Sequence, residues 1–315
     1  MKLLQKILGR TRGLRFPQEY LCLDADRHEG APRWYRADGE TVGPELTAAH
    51  LFVGYCPVLL ALPGRLAPGD ALRIVIATGA LQPGDPVPRR PLAELRLRRM
   101  ACTGELACFE ALQGAHRFLP AFRQALIDHH NRWYQQRAGN VFLEGNRYRQ
   151  VQIAYSLPRT ISLITVGDAA SCNLFPTDLH GSCGGEYLVS LRHGGMAGAQ
   201  VQAAGRIHLA NMAPAAYRTV YGLGKNHMQP PRAPEALPLG PLRSPQWGLP
   251  VPADAISGYE LELLDSFDAG IHRLFRFRIR SQTVYARNAG TLAHVHNVYA
   301  TWRYKNGGAG NYLLR

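Results

Sequence analysis

Between Arg159 and Met212 the chain reads RTISLITVGDAASCNLFPTDLHGSCGGEYLVSLRHGGMAGAQVQAAGRIHLANM. Short apolar runs are cut by glycine-rich turns. That punctuation leaves room for short strands and one short helix, not for a helical bundle. Ile161–Val166 reads as an apolar strand that ends at a Gly-Asp turn. A polar loop follows, with Asn173, Pro176, Thr177, Asp178, Leu179 and His180. Tyr187–Leu191 is a second strand, carrying Ser190, and it stops at Arg192-His193-Gly194-Gly195. Met196–Ala204 has helical character, and Ile207–Asn211 is a third strand.

The pattern changes near residue 147 and divides the chain into an extension, 1–147, and a β-rich domain, 148–315. In the extension, Leu51–Leu62 and Ala71–Ala77 look like short buried strands joined by a Pro-Gly-rich turn. Leu92–Met100 is open between strand and helix. Residues 103–137 space their apolar side chains mostly by threes and fours, which predicts a long helical segment. Gly114 and Pro120 would break it, and Gly139-Asn140 would stop it. In the second part, the alternation over Gln150–Tyr155 predicts a strand, as do Tyr259–Leu264, Leu274–Ile279 and Val295–Tyr304. Pro230–Pro252 is so rich in proline that an extended arm, unable to fold on itself, is expected.

The formal net charge is +13, carried almost wholly by arginine. The arginines are dispersed and no nucleic-acid-binding signature is present, so the field fits phosphorylated small molecules better than nucleic acid. No apolar run approaches the ~20 residues of a membrane span. Six cysteines, none in a Cys-x-x-Cys pair, read as reduced thiols of a cytoplasmic protein. There is no Gly-x-Gly-x-x-Gly and no Gly-x-Ser-x-Gly, so neither a Rossmann nicotinamide domain nor a hydrolase elbow is indicated. His294 and His296 share a strand face, as metal ligands often do, but the sequence names no third ligand and no metal site is assigned.

The order of these pieces resembles the flavin reductase family. Its FMN-binding split β-barrel runs from an apolar strand and turn through an Asn-x-x-Pro segment and a strand ending at a basic corner. A helix and a Gly-x-apolar strand follow. Asn211 falls one residue later than the family's pattern asks. The likeness continues at Gly248-Leu249-Pro250-Val251-Pro252, at Gly270-Ile271-His272, and in Leu292–Tyr299, so it covers about residues 150–305. Ile271 and Phe277 depart from the Asp and Gly usual there. Residues 1–150 lie outside the likeness, although Leu51–Leu62 echoes a family strand and hints at a degenerate second barrel half.

The resemblance implies a mainly β (α+β) fold, FMN as cofactor and NADH or NADPH as co-substrate. It also implies a homodimer with FMN at the subunit interface, and a possible partner oxygenase that takes the reduced flavin. It places the cofactor against Asn173, Pro176, Thr177, Asp178, Leu179, His180, Ser190, Leu191, Arg192, His193 and Gly194, with His272 as the catalytic side chain. Thr177, Ser190 and Arg192 are hydroxyls and a cation of the kind a phosphate dianion needs. Glycines at the corner allow close backbone approach, and the helix after it adds a favourable dipole. Two other readings stay open: a non-catalytic flavin- or haem-binding barrel, and a cofactor-less barrel that serves as an interaction module.

Overall fold

The computed structural model describes residues 19–25, 32–100, 106–134, 146–183, 185–305, 307 and 310–314. The basic N-terminal segment, Gly139-Asn140 and Gly184 lie outside the described residues. After β1 (Glu19–Asp24) come β2 (Arg33–Asp38), β3 (Thr41–Glu45), β4 (Leu51–Gly54), β5 (Leu59–Pro63), β6 (Ala71–Ala77), β7 (Ala93–Met100) and β8 (Leu106–His116). Helices α1 (Ala121–Tyr134) and α2 (Arg147–Ala154) follow, then β9 (Arg159–Thr160). A second series comprises β10 (Ser162–Gly167), β11 (Cys172–Thr177), β12 (His180–Cys183), β13 (Glu186–Arg192), α3 (Ala197–Ala204) and β14 (Arg206–Met212). Then come α4 (Tyr217–Gly222), β15 (Leu239–Arg243), β16 (Pro250–Pro252), β17 (Ala255–Ala269) and β18 (His272–Val284). The chain closes with β19 (Leu292–His296), α5 (Asn297–Lys305) and β20 (Asn311–Leu314).

The two large sheets have the same topology. The first is ordered β3-β2-β6-β7-β8-β5-β4 and the second β11-β10-β14-β17-β18-β13-β12. Counting strands within each series, both read 2-1-5-6-7-4-3, with β15 and β16 as an insertion in the second. Every neighbouring pair is antiparallel in both sheets. The chain is thus built twice on one plan, and the faint echo at Leu51–Leu62 marks the hairpin β4–β5. A small sheet, β20-β1-β19-β9, ties the first strand of the chain to the last.

Each curled sheet wraps an apolar core. In the second, Ile164, Phe175, Val189, Leu209, Leu261, Phe275 and Phe277 come from six strands and meet Val201 of α3. Alternate residues point the other way, so Leu188 and Leu274 meet Val53, Leu59 and Ala61 of the first half. Each such fully buried aliphatic side chain contributes about 1.5–3 kcal/mol. The fit between halves is close. A Cβ on Gly181 would overlap a Leu51 methyl, and one on Gly270 would lie 2.7 Å from the Cys56 carbonyl oxygen.

The expected mainly β fold with added helices is present, but several elements differ from expectation. Residues 106–116 form β8, not helix, because the segment pairs with β5 on one side and β7 on the other. Leu112 is 53% exposed there, so its three- and four-residue spacing to neighbours was never a buried stripe. The true helix, α1, starts directly after Pro120. Residues 150–154 are helical, in α2, and all five are buried, which removes the solvent face that would reveal a helical period.

The polar segment before Tyr187 is not one loop but two strands, β11 and β12, joined at Asp178-Leu179. Val295–Tyr304 changes from strand to helix at Asn297. The proline-rich arm does fold on itself, since β15 pairs with β16. Cys22, Cys56, Cys172 and Cys183 are free and buried, whereas Cys108 is disulfide-bonded, contrary to the reading of six reduced thiols. Pairing depends on Cα proximity, which spacing in sequence does not reveal.

Candidate functional site

β13 and β18 set the site by register. Arg192, the last residue of β13, lies opposite His272, the first of β18. Leu188, Ser190 and Arg192 share the face turned toward the first half, while Tyr187, Val189 and Leu191 fill the barrel. The Ser190 amide donates to the Leu179 carbonyl at 2.8 Å, which draws the β11–β12 turn onto β13. Ser190, Arg192, His272 and the Asp178-Leu179 turn therefore converge at one end of the barrel.

Several polar atoms here have no protein partner. The buried Ser190 hydroxyl has none, and neither ring nitrogen of His272 has one. His272 is 2% exposed and meets the Tyr55 ring edge-on at 4.6 Å. Burial pushes its imidazole down to about 4; Asp178 opposes this, while Arg192 and His193 add to it. The ring is neutral at pH 7, so it offers one donor and one acceptor.

The remaining expected residues are placed variously. Thr177 is buried at the end of β11. The Asn173 amide donates to Gln200 Oε1 at 2.9 Å and to the Asn226 and Gln229 carbonyls at 2.9 and 3.0 Å, a strut joining β11 to α3 and residues 226–229. Pro176 lies on β11 opposite Leu163. Leu191 is inside the barrel, and Leu179 is buried in the first half's core. His180 Nδ1 faces the Tyr187 hydroxyl at 2.8 Å, and its Nε2 has no partner. His193 faces outward to Asp268 at 3.6 Å. Gly194, with φ 84°, forms the open corner before α3.

Asp178 belongs to a second cluster that sequence reasoning reached only in part. Its Oδ2 lies 3.0 Å from Arg159 Nη2 and 2.9 Å from His294 Nε2. His296 Nε2 is 3.7 Å from the same oxygen and 2.8 Å from His294 Nε2. The Tyr221 hydroxyl is hydrogen-bonded to His294 Nδ1. Tyr20 and Tyr155 wall the cluster, with ring centroids 4.4 and 4.5 Å from His296. Arg159 sits over the Tyr155 ring at 4.6 Å. Although burial opposes it, Arg159 and the two histidines hold the Asp178 carboxyl well below the usual carboxylate range. Burial drives His294 down to about 4 and His296 well below its ordinary value. The His294-x-His296 spacing was the only signal in the sequence. Asp178 is 116 positions from His294, and only the fold brings them together.

No protein-family model matches the chain, and no curated protein matches it either. Solved structures similar to part of it include the NADH:FAD oxidoreductase SgcE6 of Streptomyces globisporus. That match has 13% identity, 50% of this chain, 93% of that chain and a TM-score of 0.42. Another is BorF, the flavin reductase component of a bacterial two-component tryptophan halogenase. Here the values are 16% identity, 53% of this chain, 97% of that chain and a TM-score of 0.41. An FMN-binding protein of Thermus thermophilus matches at 17% identity over 51% of this chain and 93% of that chain, with a TM-score of 0.38. Similarity at this level describes a half-chain likeness in fold and nothing of chemistry. No helix among the described residues is long and apolar enough to cross a membrane.

Proposed function

We propose that the second half binds FMN at the Arg192–His272 end of its barrel and works as an NAD(P)H-dependent flavin reductase. The reduced flavin would pass to a partner oxygenase or directly to a substrate. The observation that carries this is the group of partnerless buried polar atoms, Ser190 Oγ and both His272 nitrogens, beside an arginine at a glycine corner. Unpaired buried polar groups cost about 1–3 kcal/mol each, and a ligand with polar edges removes that cost. The residues present fit the cofactor. Ser190 and Arg192, on one face of β13, would hold its phosphate, with Thr177 at the end of β11 as a further hydroxyl and the Gly194 corner open to backbone approach. His272, neutral, orients the polar edge of the ring and can hold a proton at either nitrogen. The flavin, when bound, supplies the hydride chemistry; the protein binds, orients and excludes water.

One chain already supplies both walls. Tyr55 of the first half meets His272, and the Cys56 carbonyl lies against Gly270. The first half therefore takes the place that a second subunit holds in the implied homodimer, and the homodimer is not needed to complete the site. A cytoplasmic location rested on reduced thiols, and the Cys108 disulfide weakens that support. A second reading, a cofactor-less interaction module, is favoured by the tight seating of Leu51 on Gly181, which leaves little slack between the halves.

The test is the absorption spectrum of purified protein, then titration of wild type and Arg192→Ala with FMN and with riboflavin. A charge-assisted hydrogen bond contributes about 1.5–3 kcal/mol, so the variant should bind FMN roughly 10- to 150-fold more weakly. Riboflavin, lacking the phosphate, should lose almost nothing. Equal losses for both ligands refute the phosphate site, and no flavin binding by wild type favours the interaction module. NADH and NADPH oxidation with bound FMN tests the activity.

A further inference from the structure

We propose that Asp178, His294 and His296 form a binding site for a first-row transition-metal dication, a function separate from flavin binding. The three ligand atoms lie within 4.8 Å of one another. The His294 Nε2–Asp178 Oδ2, His294 Nε2–His296 Nε2 and His296 Nε2–Asp178 Oδ2 distances are 2.9, 2.8 and 3.7 Å. A circle through three points so spaced has a radius of about 1.9 Å. An ion about 2.0–2.1 Å from each atom, the usual metal–nitrogen or metal–carboxylate length, then sits roughly 0.8 Å out of their plane. That is the cap position of a three-ligand site.

Hydrogen bonding alone serves this geometry poorly. His294 Nε2 faces both the Asp178 carboxylate and His296 Nε2. A single N–H cannot point at both, and if it goes to Asp178 the His296 nitrogen is left against a ring nitrogen with nothing between them. A cation takes the carboxylate oxygen and both imidazoles once the His296 ring turns from its edge-on seat over His294, where its Nε2 also lies 3.1 Å from His294 Nδ1 and the rings stand at 86°. The surroundings already act as supports for the ligands. The Tyr221 hydroxyl can accept from His294 Nδ1–H, the tautomer in which Nε2 carries the lone pair that ligates. Arg159, 3.0 Å away, is paired with Asp178 Oδ2 by charge and keeps the carboxylate ionised. Strand β19 sets the ring pair, since its residues 294 and 296 face the same way.

The donor set names the class of metal. Two imidazoles and one carboxylate favour zinc, iron(II), cobalt(II) or nickel(II) over the oxygen-seeking calcium and magnesium. Among three-ligand sites with open positions, this is the donor set of non-haem iron(II) and of catalytic zinc.

The experiment uses untagged full-length protein stripped with a chelator and titrated with cobalt(II) alone, followed by ligand-field absorption, and with zinc alone by calorimetry. One metal per chain is expected, with a cobalt spectrum of four or five coordination. His296→Ala and Asp178→Asn should each abolish that spectrum. Tyr221→Phe, which touches no metal, should weaken zinc binding by roughly 10- to 100-fold. Circular dichroism and a thermal melt separate a folded variant that has lost the metal from an unfolded one. If His296→Ala unfolds, Tyr221→Phe and the wild-type stoichiometry still decide. Wild type that binds neither ion, or a folded Asp178→Asn/His296→Ala double variant that keeps the spectrum, overturns the proposal. FMN titration of the same metal-stripped protein reports on the flavin reading independently.

Discussion

His208 and His272 make stability depend on pH in a direction the structure fixes. His208 is fully buried on β14 with Nε2 2.9 Å from the Tyr285 hydroxyl, and His272 is buried at the mouth of the barrel. Burial drives both imidazoles from 6.5 down to about 4, with Glu260 opposing at His208 and Asp178 at His272. Between those values the unfolded chain binds protons that the folded chain refuses. Stability is therefore full above about pH 6.5 and falls as pH drops toward 4. Taking the shifts at face value, each histidine costs about 1.2 kcal/mol between pH 7 and pH 5.5, or roughly 2.5 kcal/mol for the two. Neither group is exposed enough for solvent to screen the effect. Urea unfolding at both pH values reads it. His208→Gln keeps a hydrogen-bonding partner for Tyr285 but does not titrate, so it should remove about half of the pH difference that these two produce. The comparison is between two pH values of one variant, so any fixed cost of the substitution cancels. An unchanged difference in the variant, or a wild type more stable at pH 5.5, would refute the reasoning.

Gly270→Ala should destabilise by about 2–4 kcal/mol, because φ is 64° and the new Cβ would sit 2.7 Å from the Cys56 carbonyl oxygen. Gly69→Ala, with φ 86° and open space, should cost only about 1–2 kcal/mol in the same urea titration, and equal losses would show that the contact between halves is not tight. Sedimentation velocity should find a flavin-binding monomer, since the second wall of the site is in the same chain; binding confined to a dimer would count against that assembly.

The second half was legible because its strands are separated by glycine and proline, and because alternate residues face a core on one side. β10, β13, β14 and α3 lie where the pattern puts them, within two residues. The first half was harder. Its β8 is buried on residues 106–109 without alternation, and a helical period can be drawn through it. Sheet pairing decides such segments, and pairing is not local. The repeat itself leaves almost no trace in residue identity. In the second half the connection after strand four is the eight-residue helix α3, and in the first it is the three-residue turn Gly64–Leu66. At the candidate site, the basic glycine corner and His272 stand out in the sequence, and the sheet register sets Arg192 opposite His272. The Asp178 cluster could not, because its partners come from β9, β19 and α4.

The repeat supplies an internal control for the flavin site. In both halves the last residue of strand four lies opposite the first of strand seven: Arg192 faces His272, and Pro63 faces Leu106. Two residues earlier, Ser190 faces Leu274 where Ala61 faces Cys108. The fold therefore accepts alanine and leucine at the positions where the second half carries Ser190 and His272, so their polarity is not required by the architecture. Partnerless and buried, they stand at a cost of about 1–3 kcal/mol each. Ser190→Ala with His272→Leu, the residues of the first half, should then raise the stability of the ligand-free protein by about 1–3 kcal/mol, leucine being close to the imidazole in size. The same variant should bind FMN at least about 10-fold more weakly, because two groups that contact the ligand are gone. Urea unfolding without flavin and FMN titration give the two numbers. A variant that loses stability would mean that these side chains are satisfied within the protein, and one that keeps full FMN affinity would place the flavin elsewhere. Gain of stability together with loss of affinity is the pattern of groups kept for a ligand.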